Sequence, residues 1–252
     1  MKIVGLAVAV LGMIGLSTQA SATLTCVECP APTATVTIGT AAPINVPVVT
    51  SGGVFSITGF TTTIPGVGTA RIDTLLMNPD PFIVFGVGAT NLSPTPLVFA
   101  FAFTEPIGIP GNAIDASASI GYSLSDGAGN GVTLTAFDVG GKVLIANDFF
   151  PPTNKGVNVG PTSTGGVAPN CGPLVGGTSV CGPFAATNTF AQPAVPFVIM
   201  GATVSFVLSG NDGAGLSGRV EQVVHTPEPA TLLLMGSALA GLGAWRRYRA
   251  SR

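Results

Sequence analysis

Between residues 33 and 225, apolar side chains recur at every second position. Leu97, Phe99, Phe101 and Phe103 alternate with Val98, Ala100 and Ala102, and Ala202, Val204, Phe206 and Leu208 alternate with Thr203, Ser205 and Ser209. Ile120, Tyr122 and Leu124 do the same against Ser119, Gly121, Ser123 and Ser125. Successive residues of a strand point to opposite faces, so each stretch predicts a strand with an apolar face in a core and a small or hydroxylic face in solvent. Further strands are expected over 33–38, 44–50, 54–58, 70–76, 81–90, 132–138, 143–147 and 218–224. Ser51-Gly52-Gly53, Pro65-Gly66, Asn78-Pro79-Asp80 and Gly140-Gly141 punctuate them as turns. No segment of this region joins helical periodicity to helix-forming composition. The expected fold is all-β: one antiparallel β-sandwich ectodomain over residues 23–226.

The alternation lapses between residues 151 and 193, where Pro, Gly, Thr, Ser and Asn dominate. The expectation there is an irregular excursion holding at most one short strand. Elsewhere the solvent faces use Thr, Ser, Asn and Gly in place of charge, which leaves edge strands weakly protected.

Both ends of the chain carry apolar runs of a different kind. Lys2, the apolar stretch 3–16 and the small-residue site Ala20-Ser21-Ala22 have the order of a secretory signal peptide over 1–22, with Thr23 as the mature N-terminus. At the other end, residues 230–245 carry no charge and are followed by Arg246, Arg247, Tyr248 and Arg249. Sixteen helical residues reach about 24 Å against a hydrocarbon core of about 30 Å. Arginines reaching to the headgroups, with Trp245 and Tyr248 at the interface, cover the shortfall of this short transmembrane helix. The Arg cluster keeps the C-terminus cytoplasmic and everything before Pro227 outside. Pro227 and Pro229 hold Glu228 in an extended segment that a processing enzyme can grip.

Pro227-Glu228-Pro229-Ala230-Thr231, the apolar helix 230–245 and the terminal Arg246, Arg247 and Arg249 together resemble the PEP-CTERM sorting signal of Gram-negative bacteria, over residues 227–252. The resemblance implies an exosortase, a membrane-embedded transpeptidase-like enzyme, as the partner that processes the tail. It further implies a host that makes exopolysaccharide, hence a cell-surface or biofilm-matrix destination after an inner-membrane-anchored precursor. About catalysis by this chain it implies nothing.

Charge and cysteine content narrow the ectodomain's partners. Between Thr23 and Pro229 the cations are Arg71, Lys142, Lys155 and Arg219 against all eleven acids, a net charge of −7. Such a surface excludes nucleic-acid binding and has no basic stripe for anionic lipid, so the membrane link is the tail. Cys26, Cys29, Cys171 and Cys181 all fall in the exported portion, where an even count favours disulfides, with three pairings open. Cys26-Val27-Glu28-Cys29 lacks the second close pair or the histidines of a zinc site, so no metal or cofactor is expected.

Candidate chemistry is sparse. Asp126-Gly127-Ala128-Gly129-Asn130-Gly131 and Asn211-Asp212-Gly213-Ala214-Gly215 share Asp-Gly-Ala-Gly and bring carboxylate and amide oxygens close together, as parts of calcium loops do. The same residues make hairpin turns, with Asp and Asn bonding their own backbone and Gly supplying positive φ, and the missing late bidentate Glu favours that reading. His225, the one histidine, stands at the stalk beside the sorting motif, away from any triad geometry. Asp73, Asp80, Glu105, Asp115, Asp138 and Asp148 show no spacing that singles out an acid/base pair. Asn91-Leu92-Ser93 matches a glycosylation sequon but is followed by Pro94 and is given no role. The expectation is a non-enzymatic exported surface or extracellular-matrix protein. The alternative is a carbohydrate-binding module, calcium-assisted or not, that engages exopolysaccharide; a carboxylate-only hydrolase stands third.

Overall fold

The computed structural model describes residues 31–79, 81–107, 114–138, 140–150, 153–159, 170–171, 179–192, 199–224, 236–240 and 246. Among the described residues fifteen strands run in the order β1 (Thr33–Ile38), β2 (Ile44–Asn45), β3 (Val49–Ser51), β4 (Val54–Ile64), β5 (Gly68–Asn78), β6 (Phe82–Asn91), β7 (Leu97–Pro106), β8 (Ile114–Asp126), β9 (Val132–Ala136), β10 (Leu144–Phe150), β11 (Thr153–Val159), β12 (Asn170–Cys171), β13 (Ser179–Gln192), β14 (Ile199–Leu208) and β15 (Gly213–Val224). They form two antiparallel sheets. The first has the order β11-β10-β14-β7-β1-β2, with β9 beside the far end of β14 and β12 beside β9; the second has the order β13-β8-β15-β6-β5-β4-β3.

Alternation places the core where the sequence puts it. Phe99, Phe101 and Phe103 on β7 and Val204, Phe206 and Leu208 on β14 are buried, facing Phe85, Ile120, Leu124 and Leu216 of the second sheet. Phe206 stacks within its sheet on Phe99 (5.9 Å between centroids), and Phe103 meets Phe85 across the sandwich at 5.8 Å. Burying each such ring is worth roughly 1.5–3 kcal/mol, and none of the rings carries a polar atom that would need a partner.

A bulge preserves this pattern in the second sheet. The β5–β6 register slips between Ile72 and Thr74, while β4 and β5 stay in one register with Gly59 opposite Asp73. The extra residue on each strand keeps Ile57 with Phe60, and Ile72 with Leu75, on the core side, where unbroken alternation would send one of each pair outward.

Three sequence expectations change. The strand expected over 44–50 is two strands in different sheets, because Val46 and Pro47 carry the chain across: β2 pairs with β1, whereas β3 pairs with β4. Proline has no N–H for a ladder, so a break falls naturally there. The region 151–193 contains β11, β12 and the fourteen-residue β13, which pairs with β8 along almost its whole length. Its Ala-Ala-Thr-Asn-Thr stretch, Ala185 to Thr189, lacks a large-residue alternation, and its pairing comes from a neighbour some seventy residues earlier. The two Asp-Gly-Ala-Gly segments are not hairpins. The first carries the chain from β8 in one sheet to β9 in the other, and the second carries it from β14 to β15, with Gly213–Gly215 already in the strand.

Candidate functional site

The two poles of the sandwich differ. At the distal pole three arches cross between the sheets: β6 to β7 through Asn91 to Thr95, β8 to β9 through Asp126 to Gly131, and β14 to β15 through Asn211 and Asp212. Asp126 is buried and folds its arch around itself. Its Oδ1 accepts from the N–H groups of Ala128 (3.2 Å) and Gly129 (2.7 Å), and its Oδ2 from Gly131 (2.8 Å). Asp212, 1% exposed, accepts from Gly127 N–H (3.2 Å) through Oδ1 and from the Ser209 hydroxyl through Oδ2. Ser209 Oγ in turn accepts from Thr133 N–H at 2.8 Å. These carboxylates neutralise backbone donors that the crossing turns leave without ladder partners. The arrangement locks two sheet crossings: Asp126 bonds its own backbone as a turn Asp does, whereas Asp212 reaches the neighbouring arch, and neither segment is a hairpin.

Asn91, with no exposed surface, ties the β6-to-β7 arch to the β14-to-β15 arch. Its Nδ2 donates to the carbonyls of Thr95 (2.8 Å), Ser209 (2.9 Å) and Leu208 (3.1 Å), and its Oδ1 accepts from Ser93 N–H at 2.9 Å. The sequon residue is thus a structural keystone, a role its sequence position did not reveal. The only local hint was an Asn closing a strand before Ser-Pro, the composition of an Asx turn.

The outer face of the second sheet carries a shallow depression of about 490 Å³. Thr61, Thr69, Arg71, Thr90, Ser123 and Ser125 line it over a floor that includes Gly88, Gly213 and Gly215. Arg71 lies across Gly88, where an added Cβ would stand 2.3 Å from Arg71 Nε, so only glycine leaves the stem this path. Two ion pairs lie on this face, Arg71 with Asp73 (3.3 Å) and Arg219 with Glu221 (2.8 Å), the Arg219 guanidinium also lying 5.4 Å from the centre of the Phe82 ring; Asp115 is exposed on the same face. Both pairs are substantially exposed, so they contribute little stability. Chemically the depression offers hydroxyl groups and one guanidinium.

At the proximal pole the described chain begins and the sandwich ends. Thr33 pairs with Thr104, near the end of β7, and Val224 pairs with Ile114, at the start of β8. Here Glu105 points into the core with no exposed surface, and among the described residues neither carboxyl oxygen has a hydrogen-bond partner. Desolvation pushes it up from its ordinary 4.5 to about 9, so it is neutral at neutral pH. Extending the alternation of Phe99, Phe101 and Phe103 by one step would have found it.

Among the described residues no other acid gathers around it, while the backbone of Asp148 lies two strands away at the same register level, opposite Met200. Asp73 is exposed on the outer face of the second sheet, Asp115 is exposed at the start of β8, and Asp138 bonds the N–H of Gly140 in a turn. Asp80 and His225 lie outside the described residues, as do the side chain of Asp148 and the cleavage-site residues Ala20, Ala22 and Thr23. Cys26 and Cys29 also lie outside them, while the backbones of Cys171 and Cys181 pair opposite Val132 and Leu124. In the tail, residues 236–240 are helical and exposed; the rest of the helix expected over 230–245 lies outside the described residues, as do Pro227, Glu228, Pro229, Ala230 and Thr231. Among the described residues no helix is long and apolar enough to cross a membrane.

Residues 225–247 match the PEP-CTERM protein-sorting motif. The match takes in Pro227 to Thr231, Arg246 and Arg247, and stops short of Arg249. It supports an exported protein sorted by exosortase, made as a membrane-anchored precursor and processed for the cell surface. A comparison with curated proteins finds no match.

Proposed function

We propose that the chain is a non-enzymatic surface or extracellular-matrix protein, presented by a signal peptide over 1–22 and an exosortase-processed tail over 227–252. The observation that carries this reading is the shared proximal pole of Thr33 and Val224. A sandwich tethered there turns its three-arch pole and its Thr/Ser/Gly outer face away from the membrane. Among the described residues, Asp73 and Glu221 are paired with arginines and Asp126 and Asp212 are spent on hydrogen-bond donors, which supports a structural role. Replacing Pro227-Glu228-Pro229 with three alanines is expected to leave an unprocessed precursor in the inner membrane. Unchanged processing and localisation on fractionation would overturn the sorting part.

A second reading is exopolysaccharide binding. The hydroxyl-lined depression around Arg71 favours it, since sugars are recognised by hydroxyl and guanidinium hydrogen bonds. Calorimetry of the exported chain against host exopolysaccharide, with and without Ca²⁺, tests it, and silence in both titrations removes it. Within either reading the cysteines are disulfides of an oxidising compartment.

A further inference from the structure

The second sheet ends on an incompletely covered strand. β3 is three residues long and pairs only with Val54, Phe55 and Ser56 of β4. β4 runs on to Ile64, bonded on its other side to β5, and among the described residues no strand pairs with the outer edge of 57–64. A free edge is a template for another strand, and natural edges are commonly blunted by charge, proline or inward-pointing Lys. Residues 57–64 contain no charge and no proline. Their one irregularity, the Gly59 bulge, limits the straight free edge to Phe60-Thr61-Thr62-Thr63-Ile64.

That five-residue edge is self-complementary. Phe60, Thr62 and Ile64 are half-buried, Phe60 and Ile64 packing against the core, whereas Thr61 and Thr63 are exposed on the outer face. A two-fold axis through Thr62 sets Phe60 opposite Ile64 of a second copy, Thr61 opposite Thr63, and Thr62 opposite itself. The half-buried apolar side chains then finish their burial against each other on the inner face. The threonines continue the cross-strand hydroxyl contact already made by Thr63 and Thr69 (3.0 Å) on the outer face. Like charge opposes self-association of an acidic chain, but this edge has none, and the nearest outer-face charges, Arg71 and Asp73, are already paired.

We propose that β4 is a homotypic docking edge, pairing antiparallel with β4 of a second copy so that two seven-stranded sheets become one continuous sheet. An isologous contact of this kind closes on itself and yields a dimer. The edge spans roughly 17 Å, so the contact is weak in dilute solution and favoured where copies are tethered together. It does not depend on the sorting reading, since purified chain carries the same edge.

The test is cysteine cross-linking of the full chain in detergent under mild oxidation. Thr62→Cys places two thiols directly opposite across the axis, within the Cα separation a disulfide accepts. It is expected to give a reducible dimer as the dominant species. Thr58→Cys, exposed on the far side of the bulge, is expected to give none. Adding Thr61→Lys and Thr63→Lys, both at exposed positions that leave the core intact, is expected to abolish the Thr62→Cys dimer through like-charge repulsion. Equal cross-linking from the two cysteine positions, no cross-linking from Thr62→Cys, or a dimer indifferent to the lysines would each overturn the proposal. Protection of Thr62→Cys by a segment of the same chain falls under the second of these outcomes.

Discussion

Asp212 accepts a hydrogen bond from the backbone N–H of Gly127, which lies 85 positions earlier, so the arch from β14 to β15 clamps the arch from β8 to β9. The fit is close on both sides. A Cβ on Gly127 would stand 2.2 Å from the Asn211 carbonyl oxygen, and backbone cannot yield as a side-chain tip does. The distal pole is therefore held by backbone approach and carboxylate capping together.

Asp212→Ala removes the acceptor for Gly127 N–H and for the Ser209 hydroxyl. Leaving buried donors unsatisfied costs about 1–3 kcal/mol. Urea denaturation is expected to show a lower midpoint with an unchanged slope, and Gly127→Ala is expected to act in the same direction through the clash with Asn211.

Because Asp126 spends its carboxylate on three backbone N–H groups, the arch is complete without a cation. Calcium chelation is expected to leave the thermal midpoint of the purified chain unchanged. A fall in the midpoint on chelation that is restored by added Ca²⁺ would return the segment to the calcium reading.

Asn91 makes four hydrogen bonds from a position without exposed surface. Asn91→Ala strands its partners and is expected to destabilise by about 1–3 kcal/mol, measured by denaturant unfolding. The same commitment of Nδ2 predicts that folded chain offered to an N-glycosylating system gains no mass at this sequon.

Glu105 makes stability depend on pH. Its folded value is raised, from 4.5 to about 9, so the native state holds a proton that the unfolded chain releases. The contribution is fully present below pH 4.5 and is lost as pH rises toward 9. Over that window stability falls with a slope of up to about 1.4 kcal/mol per pH unit from this group. Glu105→Met, similar in length and apolar, is expected to flatten the slope and to stabilise the chain at pH 8, as read from unfolding curves across the range.

Much of the interior was legible residue by residue. The alternation that named Phe99, Phe101, Phe103, Val204, Phe206 and Leu208 as one-faced put each of them in the core, because a strand's side-chain period is a local property of its backbone. Bulges were not legible. Gly59 and Asp73 keep two strands in phase only because they face each other, and nothing local to either residue announces the partner. The candidate sites divide in the same way. The sorting tail is linear and was readable as a string of proline, acid, apolar run and arginines, whereas the depression around Arg71 gathers residues from five strands and exists only once they are side by side.

By itself, then, the sequence determined that the ectodomain is built of half-buried strands and that its C-terminal segment is a sorting signal, since both are written in short-range order. Tertiary structure alone decided that the Asp-Gly-Ala-Gly segments are crossings between sheets, that Asn91 ties the neighbouring arch to one of them and that, among the described residues, Glu105 lies without a partner and the edge of β4 is open. Each of these depends on which strand lies beside which, a choice made by long-range burial and hydrogen bonding among segments far apart in the chain.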